Sequence, residues 1–183
     1  IGSRRWARVI TEELCKITED KVYVYHDVKD VDLSIWKETS CNYSNIKFVN
    51  KIMPIDVSSV GIAIVANSAY LHHYTIKDAL TAGYNVVSEK PLSFSKKDTL
   101  SLIEAAEEKR LKLLSSNTFC FAKYLKTLKE NWLVNKKISM IEICWSDPVT
   151  ESRYGERKRY DSGVPIIYDI LPHIATILNE TVG

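Results

Sequence analysis

The chain has 183 residues, 45% of them hydrophobic, with 25 basic against 23 acidic side chains and a formal net charge of +2. That is enough apolar material for one domain and part of another. So small a net charge supplies no basic field for nucleic acid, which leaves a small molecule as the expected partner.

In chain order, "RRWARVITEELCKI" places Trp6, Val9, Ile10, Leu14 and Ile17 at near-helical spacing and is expected to be a helix. The chain begins at Ile1 without methionine, so residues are expected to be missing in front of it, and Ile1 reads as the last residue of a first strand. "KVYVYHD" (21–27) is rich in β-branched and aromatic residues and reads as a strand. "VDLSIWKETS" is a short helix or a loop. "VGIAIVAN" (60–67) is a continuous apolar run of the kind found in a strand covered on both faces. "AYLHHYTIKDALTAG" then reads as a helix closed by Gly83. "YNVVSEKP" is the next strand, "SKKDTLSLIEAAEEKR" a helix capped by Ser95 with Asp98 three residues on, and "LKLLSSN" another strand. Strand and helix in regular alternation define a parallel sheet with helices on both faces. In such a sheet ligands sit beyond the carboxyl ends of the strands, which is where Glu89, Lys90 and Pro91 fall. Without further context those charges read equally well as a solvated turn.

A second domain is expected from about Phe119, giving a parallel-sheet α/β domain over 1–118 and the beginning of another over 119–183. "YLKTLKENWLVNK" has Leu125, Leu128, Trp132 and Leu133 on one helical face, and "ISMIEICWSD" alternates as a strand of an open sheet should. The four cysteines, Cys15, Cys41, Cys120 and Cys144, form no CxxC pair, which argues against a zinc site and a disulfide framework. No metal-ligand cluster is evident. With no apolar run of about 20 residues and no secretory leader, the expectation is a cytoplasmic protein that does not engage a membrane.

The stretch "IAIVANSAYLHHYTIKDALTAGYNVVSEKPLS" resembles the signature of the glucose-fructose oxidoreductase and inositol dehydrogenase family, Gfo/Idh/MocA. The matched features are the apolar strand Ile62 to Val65, the polar turn Asn67 to Ala69, His72 opening a helix, Ala79-Leu80-Thr81-Ala82-Gly83 closing it, and the run Glu89-Lys90-Pro91-Leu92. The match continues more loosely to the C-terminus. The resemblance implies a Rossmann-type doubly wound α/β domain followed by an α+β substrate domain, of which only the beginning is present. It also implies NAD or NADP as cofactor, a small-molecule substrate, and a homo-oligomer built through the second domain's sheet.

A dinucleotide fold places G-x-G-x-x-G between its first strand and first helix, and here the loop is Gly2, Ser3, Arg4, Arg5, Trp6 and Ala7. Ala at the third glycine position still lets helix and strand approach. Arg4 at the second is a departure with two readings: the guanidinium groups of Arg4 and Arg5 receive cofactor phosphates, or cofactor binding is weakened or lost. Asp27 falls where NAD binders place the acid that bonds the ribose 2′-hydroxyl, while His26 and the arginines suit a 2′-phosphate, so NAD and NADP both stand. Asp27 reads nearly as well as a solvent-facing strand end. The resemblance assigns Asn67, His72, Glu89 and Pro91 to the cofactor cleft.

"SGVPIIYDILPHIATIL" matches the family's Asp-x-x-x-His helix, with Asp169 and His173 one turn apart on one face. Pro172 is expected in the first turn or at a bend. The family places that His and the Lys of Glu-Lys-Pro at the substrate. The implied roles are proton acceptor for His173, charge stabiliser for Lys90 and orienting group for Asp169. Read without the resemblance, His173 is a satisfied histidine on an apolar helix. Arg153, Arg157, Lys158 and Arg159, in the segment Asp147 to Ser162, are either an anion receptor or a solvated loop; Trp145 and Tyr154 either stack on a sugar or pack. The function expected is an NAD(P)-dependent oxidoreductase acting on a hydroxyl, carbonyl or imine carbon of a small polar metabolite. The alternative is a degenerate Rossmann protein serving as a nucleotide or metabolite sensor or partner subunit, and an imine or thiazoline reductase is a third reading.

Overall fold

The computed structural model describes residues 1–26, 36, 39, 42–56, 60–146, 150–153, 156–157 and 163–183. Asp27, most of 31–40 and most of the segment 147–162 lie outside the described residues. The chain divides into two compact units, Ile1–Ser116 and Asn117–Gly183.

The first unit alternates strand and helix. Helix α1 spans Arg5–Ile17, followed by strands β1 (Val22–Tyr25), β2 (Ile46–Val49) and β3 (Ile62–Val65). Helix α2 (His72–Thr81) leads to β4 (Asn85–Ser88), and α3 (Lys96–Glu108) leads to β5 (Leu113–Ser115). β1 pairs in parallel with β2, and β4 lies between β3 and β5, parallel to both. The two groups meet at the chain's first residues. Gly2 N donates to Tyr25 O at 2.9 Å on one side, and Ala66 N donates to Ile1 O at 2.8 Å on the other. Ile1 N also donates to Ile64 O. Ile1 and Gly2 therefore occupy a strand position between β1 and β3, and the parallel order runs β2, β1, Ile1–Gly2, β3, β4, β5.

Two apolar clusters hold this unit. Ile76, Ala79 and Leu80 of α2 and Leu102 and Ala106 of α3 pack on Ala63, Val65 and Val86. Ala7 of α1 packs with Val24, Trp36 and Ala66. Local signals close the helices as their residues direct. α2 ends in a Schellman motif: Tyr84 N donates to Ala79 O at 3.0 Å and Gly83 N to Leu80 O at 3.1 Å, with Gly83 at φ +93°. Ser95 Oγ accepts from Asp98 N at 3.3 Å and starts α3.

Strand β2 is not legible as a strand in "NIKFVN", since its single turn of alternation is too short to register. β3 is covered unevenly, with Ala63 and Val65 buried and Ile62 66% exposed, so the expectation of burial on both faces fails at its entry.

In the second unit the expected long helix is broken. Helix α4 covers only Lys123–Leu128, and a π-helical turn takes over at Lys129–Leu133. A π turn adds a residue, so the 3.6-residue stripe is lost: Leu125 is buried while Trp132 is 70% exposed. "ISMIEICWSD" forms no strand over its described residues, because alternation makes a strand only where a neighbour completes the ladder. β6 (Ser152–Arg153) and β7 (Glu156–Arg157) make a minimal antiparallel pair. Helix α5 (Ile166–Val182) carries Pro172 in its interior, not in its first turn. No helix among the described residues is long and apolar enough to cross a membrane.

Leu80 is fully buried and Leu114 58% exposed. Leu80→Ala is expected to lower unfolding free energy by about 3 kcal/mol and Leu114→Ala by under about 1 kcal/mol. Urea denaturation followed by circular dichroism separates the two.

Candidate active site

The residues singled out in the first unit gather at the carboxyl ends of the strands. Gly2 is buried at φ +129°, and a Cβ there would lie 2.8 Å from Ala66 O and 2.9 Å from its carbonyl carbon. Only glycine fits a main chain this close to the end of β3. Ser3 O accepts from Trp36 Nε1 at 2.9 Å, and Trp36 is 1% exposed beneath the loop. Arg4 is the N-cap residue of α1 at φ −85°, ψ 178°, with no side-chain capping bond and no acid in the first turn. That backbone conformation is open to any residue, and the Arg4 side chain is exposed rather than folded into the loop. Arg5 is half-buried. Ala7, 5% exposed against Val24 and Ala66, provides the close approach of helix to strand. The first turn of α1 thus offers main-chain N–H groups without a side-chain cap, together with two guanidinium groups, an arrangement suited to an anion.

Asn67 follows β3. Its Nδ2 donates to Thr75 Oγ1 at 2.8 Å, while its Oδ1 is buried without a hydrogen-bond partner among the described residues. His72, 1% exposed, sits further inside. Its Nδ1 lies 2.7 Å from Pro91 O and its Nε2 3.3 Å from Asn67 O. A carbonyl can only accept, so the shorter contact puts a proton on Nδ1. Both imidazole nitrogens face main-chain carbonyls, and the Nδ1 contact holds the turn after β4.

That turn runs from Ser88, fully buried, through the partly buried Glu89 and Lys90 to Pro91, with a cis Lys90–Pro91 peptide. Glu89 N donates to Val65 O at 2.8 Å, continuing the ladder one residue past β4. Glu89 Oε1 accepts from Trp6 Nε1 at 2.8 Å, which ties the turn to α1. An open cavity of about 500 Å³ lies past the ends of β1 and β2, lined by His26, Phe48, Val49, Asn50, Lys51 and Met53. Lys51 and Trp36 were missed by sequence reasoning: neither belongs to a motif, and both matter through neighbours remote in the chain.

In the second unit, Asp169 and His173 lie one turn apart on α5, both partly buried. His173 stacks on Trp145, with centroids 5.6 Å apart and planes at 3°. Phe119 meets His173 edge-on at 5.2 Å and 78°. Trp145 therefore packs on a histidine. Pro172 cannot donate to the carbonyl four residues before it, and its own carbonyl accepts from Thr176 Oγ1 at 2.8 Å. Among the described residues no three His, Cys, Asp or Glu side chains converge as metal ligands do.

A parallel sheet with a positive-φ glycine at the head of its first helix defines a dinucleotide-binding Rossmann domain. A family model described as "Oxidoreductase family, NAD-binding Rossmann fold" matches residues 24–117, just over half of the chain. The chain belongs to the Gfo/Idh/MocA oxidoreductase family. Solved structures share the fold. The putative oxidoreductase yvaA of Bacillus subtilis is 18% identical at a TM-score of 0.58, covering 93% of this chain and 48% of that one. The WlbA dehydrogenase of Thermus thermophilus, solved with NAD and α-ketoglutarate, is 19% identical at 0.56, covering 71% and 43%. KijD10, a 3-ketoreductase of Actinomadura kijaniata solved with NADP and TDP-benzene, is 20% identical at 0.55, covering 69% and 39%. The chain thus spans less than half the length of each of these proteins. No curated protein matches it.

His72→Ala removes the donor to Pro91 O and leaves a cavity. It is expected to cost about 3 kcal/mol of stability, with His72→Gln recovering part of it in urea denaturation.

Proposed function

We propose that this chain is the nucleotide-binding part, with the start of the substrate domain, of an NAD(P)-dependent oxidoreductase that acts on a hydroxyl, carbonyl or imine carbon of a small polar metabolite, such as a sugar derivative. The observation that carries the reading is the loop into α1, where Gly2 admits no Cβ and the helix begins without a side-chain cap. Ser3, Arg4 and Arg5 would hold the pyrophosphate, through main-chain N–H groups and the two guanidinium groups, with Gly2 leaving room for its approach. The Asn67 amide, with its unserved Oδ1, would accept a hydroxyl of the nearer ribose. The adenosine end would fall toward His26 and Lys51 at the cavity past β1 and β2. Asp27, outside the described residues, retains its proposed part in reading the ribose.

When bound, the nicotinamide accepts or gives the hydride. The chain's own residues handle charge and proton. Lys90 offers an ammonium to the substrate oxygen as negative charge develops there. His173 takes the hydroxyl proton in the oxidative direction, with its ring plane set by Trp145 and Phe119. Asp169, one turn earlier on α5, orients the imidazole or bonds a second hydroxyl.

Fluorescence titration with NADH and, separately, NADPH is the primary test. Saturation at micromolar concentration by either supports the reading, and the preferred dinucleotide reports whether the acid or the cations read the ribose. Binding of neither would overturn it. Once a substrate is found by screening polyols and sugar derivatives, Lys90→Ala is expected to lower kcat by about 100-fold while the dinucleotide Kd changes by less than about twofold. An unchanged kcat would remove Lys90 from the mechanism.

A further inference from the structure

Lys90 lies between two anchored neighbours, and the anchors come from different elements. On one side, Pro91 O accepts from the buried His72 of α2 at 2.7 Å. On the other, the Glu89 main chain is held to Val65 O at 2.8 Å and the Glu89 carboxylate accepts the indole N–H of Trp6 at 2.8 Å. Trp6 is the second residue of α1 and immediately precedes Ala7, whose 5% exposure reflects its packing on Val24, Trp36 and Ala66. The indole therefore leaves a stretch of backbone already held by packing, and bridges residues 83 positions apart in sequence. The same helical turn carries the main-chain N–H groups assigned to the dinucleotide phosphates. Phosphate donors and the hold on Glu89 belong to one turn of helix.

We propose that Trp6 is a positioning residue that couples occupation of the phosphate loop to the placement of Lys90, through Glu89. The inference rests on the dinucleotide reading above and adds a role that the glycine pattern does not contain. The indole already holds the Glu89 carboxylate. An anion bound at the first turn of α1 further restricts the Trp6 side chain, and through that contact tightens the confinement of the Lys90 main chain. The coupling is reciprocal: whatever binding does to the turn after β4, holding that turn does to binding by the same factor. The contact requires a donor on residue 6 and an acceptor on residue 89. Glu89→Gln keeps the acceptor, whereas Trp6→Phe keeps an aromatic ring and loses the donor.

The test is amide hydrogen exchange of the whole chain with and without saturating NADH or NADPH, whichever binds more tightly. Bound dinucleotide is expected to slow exchange at Lys90 and Leu92 about tenfold in the unaltered chain and in Glu89→Gln. In Trp6→Phe the dinucleotide is expected to bind no more than about tenfold more weakly, with slowing at Lys90 and Leu92 below about twofold even at saturation. A merely structural contact gives a different pattern: Trp6→Phe speeds exchange equally in both states and the dinucleotide still slows it about tenfold. That pattern, or loss of the slowing in Glu89→Gln, would overturn the proposal. Binding to the unaltered chain without slowing at Lys90 and Leu92 sinks this inference alone. Failure of both dinucleotides to bind sinks the dinucleotide reading and this inference with it.

Discussion

The first unit depends on one close approach, that of the main chain at Ile1 and Gly2 to the end of β3. Gly2 bonds β1 through Tyr25 O, and Ile1 bonds β3 through Ala66 N. These two residues join a two-stranded and a three-stranded group into one parallel order. The approach leaves 2.8 Å between a hypothetical Gly2 Cβ and Ala66 O, so any side chain would push the first strand position out of line. α1 starts three residues after Gly2, and the direction of its first turn follows from that backbone. The anion-receptive end of the helix is thus placed by a backbone contact rather than by any charged residue.

The turn after β4 shows how buried and exposed polar groups divide the work. His72 and Glu89 belong to the same family pattern, yet the structure uses them differently. His72 is enclosed, and its nitrogens face the carbonyls of Pro91 and Asn67. An unserved carbonyl at such depth would be costly, which accounts for a histidine at an otherwise apolar position. Glu89 is partly exposed and reaches α1 through Trp6. The segment between them holds Lys90 in a frame contributed by two helices.

The candidate site was legible in part, and the physical reason differs from residue to residue. Gly2, Lys90, Asp169 and His173 stand in motifs whose spacing is short, so a linear reading singles them out as candidates. The direction in which a side chain points is another matter. Nothing local tells that His72 turns inward, that Trp36 supports Ser3 from 33 positions away, or that Trp145 and Phe119 enclose His173. Lys51 lies in no motif and enters only because β2 ends beside β1. In the second unit, the expected strand over 138–147 is missing from its described part because period-two alternation is a local property and a ladder is not. The stripe across Leu125 to Leu133 is disrupted by a π-helical turn, whose extra residue no hydrophobic pattern announces.

What the sequence determined by itself is therefore whatever depends on neighbours a few residues apart. Helix α1 follows from apolar spacing, the end of α2 from a glycine able to adopt φ +93°, the start of α3 from a serine that accepts from the amide three residues on, and the parallel sense of the strands from alternation of strand and helix. The tertiary structure alone decided which groups from distant segments face one another: β2 against β1, the indole of Trp6 against Glu89, and the imidazole of His72 against Pro91. Those pairings arise when packing brings remote stretches within hydrogen-bond reach, a distance of about 3 Å that no spacing along the chain encodes.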